Sequence, residues 1–244
     1  MPAYDETTYG ECIADVYDDW YPEGLAEDLA AAALKELAGD GPALELGIGT
    51  GRVALPLAAQ GIEVHGIDAS PAMVEKLRAK PGGAQIPVTL GNFAEVGVDA
   101  SYSLIFVVFN TFFALASQEE QVACFSRVAN RLQPHGVFLI EAFVPDPGRF
   151  SRQQLLQTSR VGNDGIVLET STHDPLTQRI CSQQVALTTN GPKLYPVQIR
   201  YAWPSELDLM ARLAGMRLRE RWSDWQRSPF TASSDSHVSI YEKR

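Results

Sequence analysis

The stretch Ala43-Leu44-Glu45-Leu46-Gly47-Ile48-Gly49-Thr50-Gly51-Arg52 decides the fold. It starts with a short, mostly apolar segment of the kind that forms a buried strand, and three glycines at alternate positions follow directly. Because glycine has no Cβ, such a loop lets the backbone approach a ligand closely at the carboxyl end of the strand. The stretch therefore predicts a first strand that opens into a ligand-binding loop.

Strands and helices alternate around this loop. The patterns predict strands at 43–46, 62–68, 87–90, 102–109 and 137–143, separated by helices that include 70–80 and 119–132. After residue 150 the pattern changes to three strand-like segments, 166–172, 179–188 and 194–201, followed by a helix from 204 to about 215 and strands at 217–222 and 237–242. Regular alternation is typical of a parallel, doubly wound sheet, and strands joined by short turns are typical of an antiparallel meander.

We therefore predict a single α/β domain, built on a doubly wound, mostly parallel seven-stranded sheet with an inserted antiparallel β meander. Its expected parts are an N-terminal helical lid at 1–40, a cofactor-binding core at 41–150, an antiparallel cap at 151–203, and a final helix and strand pair at 204–244. A length of 244 residues fits one domain of this kind.

Composition excludes several partners. A formal net charge of −10 disfavours nucleic acid, whose affinity for proteins comes largely from Lys and Arg. No apolar run approaches the roughly 20 residues of a membrane span. The acidic start has no basic or apolar signal region, and the widely spaced Cys12, Cys124 and Cys181 form no metal-binding pattern. We expect a cytoplasmic protein without a metal, a nucleic-acid partner or a membrane partner.

Asp68 supports a cofactor site beside the glycines. It ends the second predicted strand, 17 residues after Gly51. A carboxylate there can accept hydrogen bonds from both hydroxyls of a ribose, an arrangement open to any adenosine ligand. A dinucleotide loop would need a small residue three positions after Gly49, where this chain has Arg52. The alternative role for Asp68 is a charge at the start of the helix that Ser70 caps.

Several segments together resemble the class I S-adenosylmethionine-dependent methyltransferases. In order and spacing, 43–52 resembles motif I, 66–73 motif II, 91–93 the adenine position, 109–112 the motif IV loop and 131–137 the approach to the fifth strand. The segment 9–21 is similar to the lid helix of small-molecule members, including sugar-amine N-methyltransferases. Tyr17 and Tyr21 share a helix face and are expected to cover the loop, unless they are an aromatic packing stripe.

The resemblance implies S-adenosyl-L-methionine as cofactor and S-adenosyl-L-homocysteine as its product. Glu45 is then expected near the methionine amino group, Asp68 at the ribose, and Asn92, where the family usually has Asp, at the adenine. The implied cofactor-binding residues are Tyr9, Tyr17, Glu45, Gly47, Gly49, Gly51, Arg52, Asp68, Ala69, Met73, Asn92, Phe93, Phe109 and Asn110.

The acceptor site is less constrained by the sequence. The loop at 110–115 contains no histidine or acid, so the usual position offers no general base. The catalytic candidates are His237, His173 and Tyr21, although a lone histidine is commonly structural. Glu141 and Asp146 are further acids near the fifth strand. The expected acceptor pocket is bounded by Tyr21, Asn110, Phe143, Arg200 and Trp203, whose aromatic members also suit simple packing under the cap.

The sequence thus predicts methyl transfer to the nitrogen or oxygen of a small molecule, such as a sugar, an amine or another natural-product-like metabolite. Two alternatives stay open, namely a catalytically silent methyltransferase fold used for binding and an enzyme that modifies a macromolecule. A homodimer is one assembly that the sequence allows.

Overall fold

The structure, a computed structural model, describes residues 4–22, 24–163 and 165–243. The helices are α1 Thr8–Ile13, α2 Tyr17–Trp20, α3 Leu25–Ala38, α4 Ala54–Ala59, α5 Pro71–Ala79, α6 Gln118–Arg131 and α7 Pro204–Leu213. The strands are β1 Ala43–Leu46, β2 Val64–Asp68, β3 Val88–Leu90, β4 Tyr102–Val107, β5 Leu132–Phe143, β6 Gln154–Val161, β7 Gly165–Asp174, β8 Arg179–Thr188, β9 Gly191–Arg200, β10 Met216–Trp222 and β11 Ser236–Lys243.

Seven strands form one sheet in the order β10-β11-β5-β4-β1-β2-β3. Strands β1 to β5 pair in parallel, whereas β11 runs antiparallel to β5 and β10 antiparallel to β11. The strand order reverses next to β1, so the loop that follows β1 lies where doubly wound sheets bind ligands. The predicted fold class is confirmed.

Both faces of this sheet are buried, which explains why its strands read as nearly continuous apolar runs. In β1, for example, Ala43 packs into the hydrophobic cluster on one face and Leu44 into the cluster on the other. In β4, Leu104 and Ile105 divide between the two clusters in the same way. Within the described ranges, no helix is both long and apolar enough to cross a membrane.

The meander is larger than predicted. Strands β6 to β9 form a separate four-stranded antiparallel sheet, called here the cap sheet. Strand β6, Gln154–Val161, escaped sequence analysis because almost every one of its residues is exposed, so it lacks the apolar alternation of a half-buried strand. Edge strands exposed on both sides give little pattern of this kind.

The segment 9–21, which resembles a lid helix in sequence, forms two short helices, α1 and α2. The chain tightens between them, where the Val16 N–H donates to the Ile13 carbonyl over 2.9 Å. This turn lets Ile13 and Ala14 bury themselves against Val167 and Ala186 of the cap sheet. With the chain turned in this way, the acidic side chains beside the turn face the core.

Candidate active site

The glycine loop after β1 has a backbone that other residues rarely adopt. Gly47, Gly49 and Gly51 have φ values of +74°, +55° and +82°, in the left-handed region. A Cβ on Gly47 would lie 2.4 Å from Cγ2 of Thr111, and one on Gly51 would lie 2.4 Å from Cδ1 of Leu77. The loop therefore requires glycine for both conformation and space.

Asp68, at the end of β2, is tied to this loop. Its Oδ2 accepts a hydrogen bond from the Gly49 N–H over 2.7 Å, and its Oδ1 accepts one from the Ser70 N–H over 2.9 Å. Burial raises the pKa of the Asp68 carboxyl, and these backbone donors oppose that shift. The carboxylate therefore contacts the helix start, as one alternative predicted, and it also lines the cavity described below, where the other alternative expects a ribose.

Glu45 is the most unusual group in the loop region. Its side chain lies inside the protein with 3% exposure, and within the described residues its Oε2 has no hydrogen-bond partner. Burial, and to a smaller extent the nearby charge of Asp68, raise the pKa of the Glu45 carboxyl well above its ordinary value. A carboxylate in a cavity wall with one unpartnered oxygen is an incomplete site for a ligand with a positive charge or a hydrogen-bond donor.

These residues surround a cavity of about 360 Å³. Its wall contains twelve of the predicted cofactor-binding residues, namely Tyr9, Tyr17, Glu45, Gly47, Gly49, Arg52, Asp68, Ala69, Met73, Asn92, Phe93 and Phe109. Asn92 also orders its own loop, because its Oδ1 accepts from the Ala94 N–H over 2.8 Å. Gly51 and Asn110 do not line the cavity. Leu77 fills the space beside Gly51, and the contacts of Asn110 are given below.

Asn110 lies in the turn that follows β4, beside the end of β5. Phe109 and Asn110 have φ values of +54° and +66°, a conformation that costs energy in residues other than glycine. The Asn110 Oδ1 accepts from the Phe143 N–H over 2.7 Å, and the Glu141 carboxylate accepts from the Phe109 N–H. The Asn110 amide oxygen thus joins this turn to the end of β5, and Asn110 does not line the cavity where the sequence placed it.

The lid segment lies against the core through polar contacts on α1 and α2. Glu11 accepts from the Ser70 hydroxyl over 2.7 Å, Asp15 pairs with Lys76 over 3.1 Å, and Asp18 pairs with Lys80 over 3.0 Å. Asp18 also accepts from the Thr50 hydroxyl over 2.6 Å. All of these core partners belong to the glycine loop or to α5 and its two ends. The acidic face of the lid is thus its docking face.

Arg52 connects the lid to the site. Its guanidinium forms an ion pair with buried Glu27 of α3, lies 4.3 Å from the centre of the Phe109 ring, and donates to the Tyr17 hydroxyl over 3.4 Å. The Tyr17 and Tyr21 rings lie 5.1 Å apart. Tyr17 lines the cavity, whereas Tyr21 does not and contacts Gln184 of the cap sheet instead.

The expected acceptor pocket does not assemble. Arg200 is buried against α6 and α7, where it donates to Gln121 over 2.6 Å and pairs with Glu206 over 2.8 Å. Phe143 packs on Phe113, and the half-exposed Trp203 lies near Tyr201. Neither these residues nor Tyr21 and Asn110 line the cavity. Their positions depend on helix and strand packing that local sequence patterns do not encode.

Both candidate histidines also lie outside the cavity wall. His173 is stacked on Phe150, with ring centres 4.6 Å apart, and its Nε2 lies 3.0 Å from the Tyr201 hydroxyl. His237 is completely buried in β11, with its Nδ1 2.9 Å from the Ser239 hydroxyl. Burial, reinforced by Arg221, lowers the pKa of His237 to about 3. Neither ring therefore reaches the cavity in which the cofactor is expected.

We expect the buried His237 to control stability instead of catalysis. The unfolded ring takes up a proton below about pH 6.5, whereas the folded ring stays neutral down to about 3, so stability is complete above pH 6.5 and falls with decreasing pH. The expected loss is about 1.4 kcal/mol per pH unit between pH 6 and 4. Denaturant unfolding of wild type and His237→Asn checks this. In the variant, the unfolding free energy should no longer fall by this amount as the pH decreases, and the pH–rate profile of methyl transfer should be unchanged. If the variant instead loses the limb of that profile near pH 6–7, His237 is the catalytic base after all.

Sequence reasoning missed one end of the cavity. Tyr4, Glu6, Glu120, Arg179 and Gln198 line it from the lid, the start of α6 and the cap sheet. The Gln198 N–H donates to the Tyr4 hydroxyl over 3.2 Å, which closes the gap between lid and cap. Glu120 is visible in the sequence as part of a Ser-x-x-Glu capping box at Ser117, but nothing in that pattern indicates that it also faces a cavity.

Comparisons with known proteins agree with this geometry. A family model described as a methyltransferase domain matches residues 43–136. The structure of the CcbJ methyltransferase from Streptomyces caelestis is 42% identical, with a TM-score of 0.93 over 98% of this chain and 99% of that one. The cypemycin N-terminal methyltransferase of a Streptomyces species is 29% identical over 204 residues, 82% of each chain.

More distant structures share the fold. The sugar N-methyltransferase KedS8 from Streptoalloteichus has 17% identity and a TM-score of 0.69, over 100% of this chain and 99% of that one. The predicted resemblance is confirmed, and so is the cofactor that it implies, with Glu45, Asp68 and the glycine loop as the residues that fit it. This chain belongs to the S-adenosylmethionine-dependent methyltransferases.

Proposed function

We propose that this enzyme methylates the nitrogen of a small-molecule amine. The observation that carries the proposal is the chemistry of the cavity end formed by the lid, α6 and the cap sheet. There the wall offers three carboxylates, Asp5, Glu6 and Glu120, against one cation, Arg179, together with tyrosine hydroxyls, and the wall residues within the described part of the chain include no histidine. This surface, in which carboxylates outnumber the cation, attracts a cationic ligand and offers no imidazole as a general base.

The tyrosines do not supply the missing base. Burial raises the pKa of the Tyr9 hydroxyl well above its ordinary value and raises that of Tyr17 as well. Both hydroxyls therefore stay protonated at neutral pH and act as hydrogen-bond donors. A hydroxyl acceptor would need a base to become a good nucleophile, whereas an amine needs only to be unprotonated. The available groups favour an amine.

The chain contributes binding, alignment and exclusion of water. The cofactor, when bound, supplies a methyl group activated by a positively charged sulfur. Glu45 would hold the ammonium of its amino-acid end, Asp68 the ribose hydroxyls, and the loop at Asn92 and Phe93 the adenine. Tyr9 and Tyr17 cover the cavity from the lid and shield it from water.

The sugar N-methyltransferase KedS8 acts on nitrogen according to its name, and the cypemycin N-terminal methyltransferase is named for an N-terminus, which in a peptide is an amine. Their agreement supports an amine as the acceptor here. It does not choose between an amino sugar and the amino terminus of a peptide. The lid and the cap sheet meet at the acceptor end of the cavity through Tyr4 and Gln198, and this enclosed end favours a small acceptor over a folded macromolecule.

The test uses pairs of acceptors that differ only in an amino or a hydroxyl group, with several amines of different pKa. We expect methylation of the amines and not of their hydroxyl counterparts. The rate should rise with pH to a plateau, and the midpoint should follow the pKa of each amine because no enzyme base intervenes. A midpoint that stays fixed for all amines, or methylation of a hydroxyl partner at a similar rate, would contradict the proposal.

A further inference from the structure

Arg179 is the cation at the acceptor end of the cavity, where the lid, α6 and the cap sheet meet. It is the first residue of β8, and its guanidinium stays charged at any ordinary pH. Within the described ranges this guanidinium makes one hydrogen bond, from its Nη2 to the Gln198 Oε1 over 3.3 Å, and forms no ion pair with a carboxylate. The cavity wall thus contains a positive charge whose hydrogen-bond donors are mostly unused.

The strands on either side of Arg179 do not neutralise it. Asp174 lies directly opposite on β7, but its carboxylate accepts from the Thr177 hydroxyl over 2.6 Å within its own turn. On β9 the residue opposite Arg179 is Arg200, a second cation, whose own ion pair goes to Glu206. Like charges on paired strands disfavour each other, so this pairing has a cost that the described residues do not repay with an ion pair.

Glu120 brings a carboxylate to the same end of the cavity. The start of α6 is fixed beside β8 because the Gln121 amide donates to the carbonyl of Arg200, the β9 partner of Arg179, over 2.7 Å. The capping box holds the Glu120 side chain, whose Oε2 accepts from the Ser117 N–H over 3.1 Å, and its Oε1 accepts no hydrogen bond from the described residues. A carboxylate oxygen and a guanidinium therefore line one end of the cavity from neighbouring elements.

We propose that Arg179 binds a carboxylate of the acceptor, so that the substrate is an amine that also carries an anionic group. The proposal rests on the amine methylation inferred above and narrows the class of amine. A purely cationic amine would be attracted by Glu120 and repelled by Arg179, whereas a zwitterion gains from both charges. Amino acids and short peptides with a free carboxyl belong to this class, and an amino sugar without an anionic substituent does not.

The surroundings of Arg179 favour a carboxylate over a phosphate. A planar carboxylate matches the fork of a guanidinium, which can donate two parallel hydrogen bonds to it. A phosphate monoester carries roughly two negative charges at neutral pH and is commonly held by several donors at once. Among the described wall residues at this end, Arg179 is the one cation, and Asp5, Glu6 and Glu120 lie around it. A dianion would meet more repulsion there than a carboxylate.

Kinetics on matched acceptors test this inference. Each pair contains an amine with a carboxylate and the same amine with a neutral amide in its place, such as glycylglycine with glycylglycinamide and β-alanine with β-alaninamide. In wild type we expect the carboxylate member to have the higher kcat/KM, mainly through a lower KM. In Arg179→Gln the ratio of the two kcat/KM values should fall at least about tenfold, the effect of losing one charge-assisted pair. Comparing ratios removes the difference in amine pKa within a pair.

Arg212→Gln is the matched control, because Arg212 is exposed on α7 and outside the cavity wall. The same loss of charge there should leave the ratio at its wild-type value. Arg179→Lys keeps the charge without the fork, so it should give an intermediate ratio. Thermal unfolding with and without S-adenosylhomocysteine shows that each variant is folded and still binds the product of the cofactor.

The outcomes separate this inference from the proposed function. Methylation of the amines with the same ratio in wild type and Arg179→Gln would overturn the inference and leave amine methylation intact. A wild-type preference for aminoethylphosphonate over β-alanine would overturn the assignment of a carboxylate. If none of the amines is methylated, the proposed function fails, and this inference fails with it.

Discussion

Replacing Glu45 with Gln is expected to stabilise the ligand-free protein and, in the same variant, to weaken cofactor binding. The Glu45 carboxyl is buried, one of its oxygens has no partner among the described residues, and its pKa is raised mainly by burial. Folding therefore disfavours its ionised form at neutral pH. The neutral amide removes this cost, and we expect the free energy of unfolding at pH 8 to rise by about 1–3 kcal/mol.

The pH dependence has a defined sign. A carboxyl whose pKa is raised by folding makes the protein progressively less stable as the pH rises from the unfolded value of about 4.3 toward the folded one. Glu45→Gln should lose that decline. Binding of S-adenosylmethionine should change in the opposite direction, because the ammonium of the cofactor loses its anionic partner, and a weakening of about 1.5–3 kcal/mol, or roughly 10- to 150-fold, is expected.

Glu63→Gln is the matched control for this experiment. Glu63 lies in the adjacent segment before β2, its side chain is 71% exposed, and it pairs with His65 at the surface. The same change of charge there should leave both measurements near wild type. Calorimetric titration and denaturant unfolding give the two numbers. Unchanged cofactor affinity in Glu45→Gln would remove Glu45 from the binding site, even if stability rises.

The cofactor half of the site could be predicted because its signals are local. The loop has a left-handed backbone at Gly47, Gly49 and Gly51, and glycine is the residue that adopts this conformation most easily. The alternating glycines in the sequence therefore indicate the loop directly. Asp68 ends a strand next to β1 in the sheet, so the strand order alone brings it to the loop. The prediction needed no knowledge of side-chain packing.

The acceptor half depends on contacts between distant parts of the chain. Arg200 has the appearance of a ligand-binding cation in the sequence, but Gln121 and Glu206 from two helices satisfy it inside the protein. Tyr4 and Gln198 meet across 194 positions of sequence to form a wall that no local pattern marks. Sequence periodicity reports which residues are buried, and it does not report which of them face a cavity.

The second large effect is expected at the contact between lid and core, where Gly10 of α1 lies directly on Ser70. A Cβ on Gly10 would lie 2.4 Å from Cβ of Ser70 and 3.0 Å from Cγ of Met73. Ser70 is buried and caps α5 by accepting from the Met73 N–H, so it has little freedom to move. In Gly10→Ala the lid must therefore shift outward.

That shift should separate the lid from its partners in the core. Glu11 next to Gly10 accepts from Ser70, and Tyr9 before it lines the cavity, so both contacts depend on the same seating. We expect kcat/KM to fall at least about tenfold, because water enters the site and alignment is lost. The free energy of unfolding should change little, since alanine favours the helix by up to about 1 kcal/mol and offsets part of the lost packing.

Gly97→Ala provides the comparison for this variant. A Cβ on Gly97 would meet no heavy atom of the described residues within 4 Å beyond its chain neighbours, and Gly97 lies outside the cavity wall. Its substitution should therefore leave kcat/KM unchanged. Limited proteolysis adds a direct readout of the lid, because cleavage near residues 14–16 should be faster in Gly10→Ala than in wild type. If Gly10→Ala retains full activity and equal protease resistance, tight seating of α1 on Ser70 is not required for methyl transfer.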